Sequence, residues 1–111
     1  MARHLGWLPW RRVRVTGPSM APTLSSGDVV LVRRGRTPDN GDVALVVWDA
    51  RPRQLSVKRV VDARDGGWFV VGDNPFGSTD SRELGAARVL GVVTWRLWPR
   101  PGRLSDQRSG S

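Results

Sequence analysis

The hydrophobic positions of this 111-residue chain fall into short runs rich in valine, and none of them keeps a helical period. The runs are "RVRVT", "DVVLVRR", "DVALVVW", "LSVKRVV", "GWFVV" and "RVLGVVTWRLW", and between them stand "SSGD", "DNGD" and "RDGG". Branched and aromatic residues favour strands, whereas Gly, Asp and Asn favour turns. The pattern therefore predicts a mostly β fold, a small and partly closed antiparallel β structure.

The two ends of the chain differ from the middle. Residues 1–11 form an apolar and basic N-terminal arm, in which Pro9 argues against a regular helix. This arm either packs its tryptophans onto the domain or makes a weak contact with a membrane surface or a partner. Residues 12–100 carry the strand pattern and form one domain. Residues 101–111 are rich in Ser, Gly and Arg, and we expect them to be disordered.

Composition excludes several classes of site. The chain has no cysteine, so disulfides, thiol nucleophiles and thiolate metal sites are excluded. The single histidine, His4, lies near the N-terminus, which makes a histidine-based triad a poor candidate. We expect no metal site and no cofactor. A hydrolase built from this chain would need Asp, Glu or Lys as its base.

Charge and hydropathy bear on partners and location. The formal net charge is +8, and a basic surface attracts nucleic acid, acidic membranes or acidic proteins. No basic run is interleaved with stacking aromatic residues, so we expect no nucleic-acid partner. No apolar stretch approaches the roughly 20 residues that span a bilayer. The expected location is cytoplasmic.

A first candidate for chemistry is Ser19, within "VTGPSMAPTLSSGD" at residues 15–28. Gly17 permits a backbone conformation closed to other residues, and Pro18 fixes φ just before the serine. Pro22 stiffens the exit of the same turn. A hydroxyl on such a turn can project as a nucleophile, with backbone N–H groups close enough to stabilise an oxyanion. Taken alone, an ordinary turn serine would be the more frequent explanation.

A second candidate is Lys58 in "LSVKRVV" at residues 55–61. Strand alternation places Lys58 on the same face as Ser56 and Val60. An ordinary lysine, with a pKa near ~10.4, stays protonated at neutral pH. Burial lowers that pKa by several units, and a neutral amine can then take the proton of a serine hydroxyl. A solvated strand lysine is the alternative.

The third candidate is the polar segment "GDNPFGSTDSRELG" at residues 72–85. Asp80 and Arg82 could form an ion pair, and Ser78 and Ser81 could orient a neutral amine. An ordinary connecting loop is the alternative, although long polar loops in compact domains are often functional.

In this order, the three segments resemble the serine–lysine proteases of the signal peptidase I family. "SMAPTL" resembles the box of the nucleophile, Ser19, and "KRVV" resembles the box of the general base, Lys58. "GDN", which contains Asp73 and Asn74, and the following "STDSRELG" resemble the last box. The resemblance implies a serine endopeptidase with a Ser–Lys dyad, whose catalytic domain is residues 12–100.

The same resemblance implies roles for the neighbouring residues. Ser78 falls where a serine hydrogen-bonds the lysine, and Asp80 and Arg82 fall where an ion pair braces the site. The remaining structural positions at the site are Met20, Pro22, Asp73 and Asn74. Many family members have a serine two residues before the nucleophile. Here that residue is Gly17, so the oxyanion hole would rest mainly on backbone N–H groups, above all that of Ser19.

Other departures concern size. Typical signal peptidases carry an N-terminal membrane helix and often a second β domain before the last box, and neither is expected here. Repressor-type self-cleaving proteases share the dyad and a similar fold, but they normally carry a helical DNA-binding domain. This chain has no room for such a domain.

The substrate is inferred from "WFVVGDNPFGSTDSR", which is similar to a bacterial group of nickel-type superoxide dismutase maturation proteases. This similarity implies that the chain removes an N-terminal leader from the dismutase precursor. General signal-peptide processing is the alternative. A non-enzymatic basic β-barrel that binds nucleic acid is a second alternative, and a catalytically inactive relative is a third.

Overall fold

The computed structural model describes residues 9–77 and 79–104. These residues form seven strands and one short helix: β1 (Trp10–Arg14), β2 (Val29–Arg34), β3 (Val43–Trp48), β4 (Arg51–Arg64), β5 (Gly67–Val71), α1 (Ser81–Leu84), β6 (Arg88–Trp98) and β7 (Gly102–Arg103). Every pairing between these strands is antiparallel. The prediction of a mostly β, antiparallel fold is therefore confirmed.

The strands form one sheet in the order β1-β2-β6-β3-β4-β5, with β7 added to β6. The sheet is not closed, because β1 and β5 stand at its two ends. A single bridge between Trp68 and Ala87 nevertheless joins β5 to the chain just before β6, through hydrogen bonds of 2.9 and 2.8 Å. The half of the sheet from β6 to β5 thus curls upon itself, which agrees with the predicted partial closure.

Two clusters of buried side chains form the core, one on each face of the central strand β3. All six residues of β3 are buried, and consecutive residues of a strand point to opposite faces. Val43 and Leu45 therefore pack in the first cluster, with Met20 and Val57. The second cluster lies inside the curled half and contains Ala44, Val46, Trp48, Val60, Val70 and Ala87.

The ends of the described chain differ from the predicted boundaries. β1 begins at Trp10, within the predicted arm, because Trp10 pairs with Arg33 of β2. β7 lies within the predicted disordered tail, and the following Leu104 is buried against the first core cluster. The rest of the predicted arm and tail, at 1–8 and 105–111, lies outside the described residues. No helix in the described part of the chain is long and apolar enough to cross a membrane.

Candidate active site

The segment around Ser19 is a loop held at its base by the pairing of its two flanking chains. Val15 donates its N–H to the carbonyl of Asp28 at 2.8 Å and accepts the N–H of Gly27 at 2.7 Å. Gly17 has a φ of 81°, the left-handed region that favours glycine, and its N–H donates to Ser26 Oγ at 3.1 Å. The sequence therefore folds here as predicted, into a glycine-dependent turn.

Ser19 lies within this turn and is only partly buried. The carbonyl of Pro18 accepts the N–H of Ala21 at 3.1 Å, which closes the turn around the serine. The next residue, Met20, is completely buried in the first core cluster. Burial of Met20 anchors the turn from below, while Pro22 is exposed on its exit. The hydroxyl is thus carried on a backbone that is fixed on both sides.

Lys58 lies in β4 opposite Ala44 of β3 and is only 4% exposed. Burial lowers the pKa of Lys58 below its ordinary value of 10.5, because a charged amine loses hydration. The negative charge of Asp80 offsets part of this decrease in the pKa of Lys58, and the positive charge of Arg82 adds to the decrease. The side chain therefore loses its proton at a lower pH than an ordinary lysine does.

Ser19 and Lys58 line one cleft with a volume of about 250 Å³. Two continuous stretches border this cleft, residues 13–19 from the end of β1 and residues 54–58 from β4. Consecutive residues of a strand point their side chains to opposite faces of the sheet. Because consecutive residues of both stretches border the cleft, the cleft runs along the edges of the strands and not over one face. The structure thus brings the two predicted catalytic residues to the same cavity from segments far apart in sequence.

Both edges that border the cleft are open in the described part of the chain. β1 pairs only with β2. β4 pairs with β3 from Arg51 to Arg59, but its pairing with β5 begins only at Arg59. Residues 51–57 therefore lie on an edge of β4 that no described strand covers, where an extended chain could add by backbone hydrogen bonds.

The third predicted segment packs directly against the serine turn through Asn74. The backbone N–H of Asn74 donates to the carbonyl of Ser19 at 2.9 Å, and its side-chain amide donates to the carbonyl of Pro18 at 3.0 Å. The Asn74 side-chain oxygen accepts the N–H of Phe76 at 3.0 Å. A Cβ atom at Gly77 would lie only 3.1 Å from both Pro18 Cγ and the Asn74 amide nitrogen. The two loops therefore fit closely at Gly77, and a side chain there would require Pro18 or Asn74 to shift by a few tenths of an ångström.

Asp73 forms a second connection, which joins three segments of the site. Its carboxylate accepts two hydrogen bonds from Arg59, at 2.6 and 3.1 Å, and one from Thr23 Oγ1 at 2.5 Å. Burial alone would raise the pKa of Asp73, but the hydrogen bonds from Arg59 and Thr23 and the charge of Arg59 hold it below its ordinary value. The carboxylate is therefore ionised and ties β4 to the serine loop.

Arg59 and Thr23 are the site residues that the sequence interpretation missed. Arg59 directly follows the predicted base in "KRVV", and strand alternation places it on the opposite face from Lys58. That position could have indicated a structural cation. Thr23 lies 50 residues from Asp73 and gives no comparable signal in the sequence.

Asp80 and Arg82 form the ion pair that was expected, at 2.7 and 3.0 Å. The Asp80 side chain is 1% exposed, whereas that of Arg82 is 56% exposed. Asp80 also accepts the backbone N–H groups of Arg82 and Gly72, each at 3.1 Å, and it caps α1. Ser81 is buried, and its hydroxyl accepts the N–H of Val70 in β5 at 2.9 Å. Ser78 lies outside the described residues, and its predicted contact with Lys58 stays a prediction.

Comparison with known proteins identifies the family of the chain. The family model for Peptidase S24-like proteins matches residues 11–94, a range that contains the serine turn, the lysine strand and the polar loop. A curated relative from Arabidopsis thaliana, the mitochondrial ATP-independent inner membrane protease subunit 1a, is 31% identical over 116 residues. This match covers 77% of the chain and 68% of the relative.

Proposed function

Since the chain belongs to the Peptidase S24-like family and is a serine peptidase of the signal peptidase type, we propose that Ser19 is its nucleophile and Lys58 its general base. The observation that carries this proposal is the shared cleft, which a turn serine and a buried lysine both line between two open strand edges. Burial of the lysine supports its role as a base, because only a neutral amine can accept a proton.

The proposed reaction is peptide-bond hydrolysis through an acyl-enzyme. The neutral amine of Lys58 takes the proton of the Ser19 hydroxyl as the oxygen attacks the peptide carbonyl carbon. Backbone N–H groups of the turn, above all that of Ser19, stabilise the negative charge on the carbonyl oxygen. The protonated Lys58 then gives its proton to the leaving amine, and the peptide bond breaks.

The second half of the reaction releases the acyl group. Lys58, neutral again, takes a proton from a water molecule as the water oxygen attacks the ester carbonyl carbon. It then gives this proton to the Ser19 oxygen as the ester bond breaks, which regenerates the serine hydroxyl. In this scheme Ser78 hydrogen-bonds the amine and keeps it aimed at Ser19. Asp80 and Arg82 act indirectly, by holding the loop that carries Ser78.

The cleft suits an extended peptide. A substrate strand could add to the open edges of residues 13–19 and 54–58 through main-chain hydrogen bonds, with side chains entering shallow pockets. The large apolar residues that line the cleft are Leu45, Trp48, Leu55 and Leu84. In this mode of binding, main-chain hydrogen bonds provide the affinity, and a few side chains of the substrate determine the sequence specificity.

We propose a nickel-type superoxide dismutase precursor as the substrate, cleaved once, ahead of its metal-binding N-terminus, in the cytoplasm of a bacterium. The similarity of "WFVVGDNPFGSTDSR" to the maturation proteases of that dismutase supports this choice. General signal-peptide processing is the second candidate. The relative's description as an inner membrane protease subunit favours it, because such a protease works at a membrane.

One experiment separates the two candidates. The purified chain is incubated with the dismutase precursor, without detergent or added nickel, and mass spectrometry identifies any new N-terminus. A single cut by the wild type and none by Ser19→Ala would support the first candidate. Cleavage of a membrane-inserted signal peptide alone would replace it with the second. Failure to cut either substrate, together with no labelling of Ser19 by a serine-directed probe, would refute the peptidase mechanism.

A further inference from the structure

The residues that line the cleft give it a positive charge. None of the described residues that line it is Asp or Glu, and three of them are basic: Arg14, Arg51 and Lys58. Lys58 is buried, whereas Arg14 and Arg51 are exposed at the ends of the two bordering stretches. Arg11 and Arg12 precede Arg14 on β1, and Arg53 follows Arg51 on β4. Of these arginines, Arg14 and Arg51 are the ones that line the cleft.

Arg14 and Arg51 differ from the arginines that hold the fold together. The ion pairs among the described residues use Arg59, Arg64, Arg82, Arg88 and Arg96. Neither Arg14 nor Arg51 pairs with a described carboxylate. Asp49 stands two positions before Arg51, but its contact is a 3.9 Å approach to Arg88. The two cleft arginines are thus available to a carboxylate from outside.

We propose that the peptide bound in the cleft carries an acidic side chain, Asp or Glu, which Arg14 and Arg51 recognise. This inference rests on the proposed function, since it assigns a substrate class to the same cleft. Selection by these two side chains differs from attraction by the net charge of +8, because it depends on where the acid stands in the peptide.

The distance of that acid from the cleaved bond is bounded by the separation of Arg14 from Ser19. Arg14 stands five positions before Ser19 in the sequence. An extended peptide rises by about 3.3 Å per residue, whereas the protein chain turns at Gly17 and covers less distance per residue. The acidic residue therefore lies within about six residues of the bond that Ser19 attacks.

The expected preference is moderate. Exposed ion pairs contribute little singly, and a carboxylate that accepts two hydrogen bonds from a guanidinium contributes more. With two arginines available, we expect a preference for Glu over Gln of roughly three- to tenfold.

The test measures binding with the Ser19→Ala variant, so that it does not depend on turnover. Fluorescein-labelled peptides of about twelve Ala and Thr residues carry one Glu or one Gln at successive positions, and anisotropy gives each Kd. We expect Glu to bind tighter than Gln by about three- to tenfold at one or two adjacent positions only. Arg14→Gln/Arg51→Gln in the same background should remove this difference, and Arg14→Lys/Arg51→Lys should retain part of it.

A matched control removes the same charge elsewhere. Arg36 and Arg100 are exposed and lie outside the cleft, so Arg36→Gln/Arg100→Gln should keep the position-dependent preference. An equal preference for Glu at every position, an equal loss in both double variants, or no binding of any Glu peptide would overturn the inference. Ser19-dependent cleavage without a preference for Glu would overturn this inference alone, whereas binding preference without any cleavage would overturn the proposed function alone.

Discussion

The backbone N–H of Asn74 donates to the carbonyl oxygen of Ser19 at 2.9 Å, although the two residues are 55 positions apart. The side-chain amide of Asn74 holds the carbonyl of the preceding Pro18 at 3.0 Å. One residue of the polar loop thus binds the peptide groups on both sides of the proposed nucleophile. The polar loop therefore helps to fix the backbone that carries the serine hydroxyl, by donating to two carbonyl oxygens of the serine turn.

This contact predicts the effect of Asn74→Asp. A carboxylate of the same shape can still accept the N–H of Phe76, but it cannot donate to Pro18. We expect a loss of about 1 kcal/mol in the free energy of unfolding and a fall in kcat of about ten- to a hundredfold, with little change in KM. Denaturant unfolding measures the change in the free energy of unfolding, and steady-state kinetics measure kcat and KM. A variant with unchanged kcat would show that the turn does not need this donor.

Ser19→Ala should abolish peptidase activity and leave the fold intact. The substitution removes one oxygen atom from a partly buried turn, so the free energy of unfolding should change by less than about 0.5 kcal/mol. The neighbouring Ser25→Ala, at an exposed position, is the control and should keep full activity. Turnover by a folded Ser19→Ala protein above the background of contaminating proteases would contradict the assignment of the nucleophile.

Lys58→Arg should be inactive, because a guanidinium stays protonated at any workable pH. Wild-type kcat/KM should rise with pH as Lys58 loses its proton, with a midpoint below the ordinary lysine pKa of 10.5. A profile without this rise, or an active arginine variant, would indicate another base.

The same lowered pKa predicts how stability depends on pH. The folded state binds the proton of Lys58 less tightly than the unfolded state does. Protonated Lys58 therefore destabilises the folded state to the full extent below the pKa that Lys58 has in that state. This effect is lost as the pH rises from that pKa to about 10.5. Relative to Lys58→Met, the wild type should gain stability across this window, which thermal unfolding at several pH values can measure.

The Arg59–Asp73 pair should contribute to stability through its coupling. Both side chains are about one-fifth exposed, at 21% and 18%, and their contact has two hydrogen bonds. A double-mutant cycle with Arg59→Met and Asp73→Asn should give a coupling of about 1–2 kcal/mol. Because the pKa of Asp73 is lowered in the folded state, this contribution is present above pH 3.8 and is lost as the pH falls through the folded value. A coupling of zero would mean that Thr23 alone holds the carboxylate.

Asp80→Ala should act mainly on stability. The substitution leaves Gly72, Arg82 and the start of α1 without their acceptor, at a position that is 1% exposed. We expect a loss of about 2–4 kcal/mol in the free energy of unfolding. Arg82→Ala, on the exposed side of the pair, is the matched comparison and should cost about 1 kcal/mol or less. Equal losses in the two variants would argue that the ion pair, and not the backbone contacts, carries the stabilisation.

The parts of the structure that sequence could predict are those with a local signal. Alternation in "LSVKRVV" placed Lys58 on a defined face, and Gly17 with Pro18 indicated a tight turn before Ser19. The partners of Asp73 could not be predicted in this way, because Thr23 and Arg59 reach it only after the sheet has brought three segments together. The strand at Gly102 was also missed. Its pairing with β6 and the burial of Leu104 depend on tertiary contacts, which outweigh a polar, glycine-rich composition.

Lys58 and Arg59 stand side by side in β4, and their side chains serve opposite faces of the sheet. An insertion or deletion of one residue between the hairpin at residues 49–50 and this dipeptide would reverse the faces. After a deletion, the permanently charged guanidinium of Arg59 would replace the amine in the cleft, and after an insertion the side chain of Val57 would replace it. In both cases Asp73 would lose Arg59 as its partner. Insertions and deletions in this strand should therefore be tolerated far less than substitutions at its exposed positions. In a library of random insertions and deletions, active variants should be absent for residues 55–60.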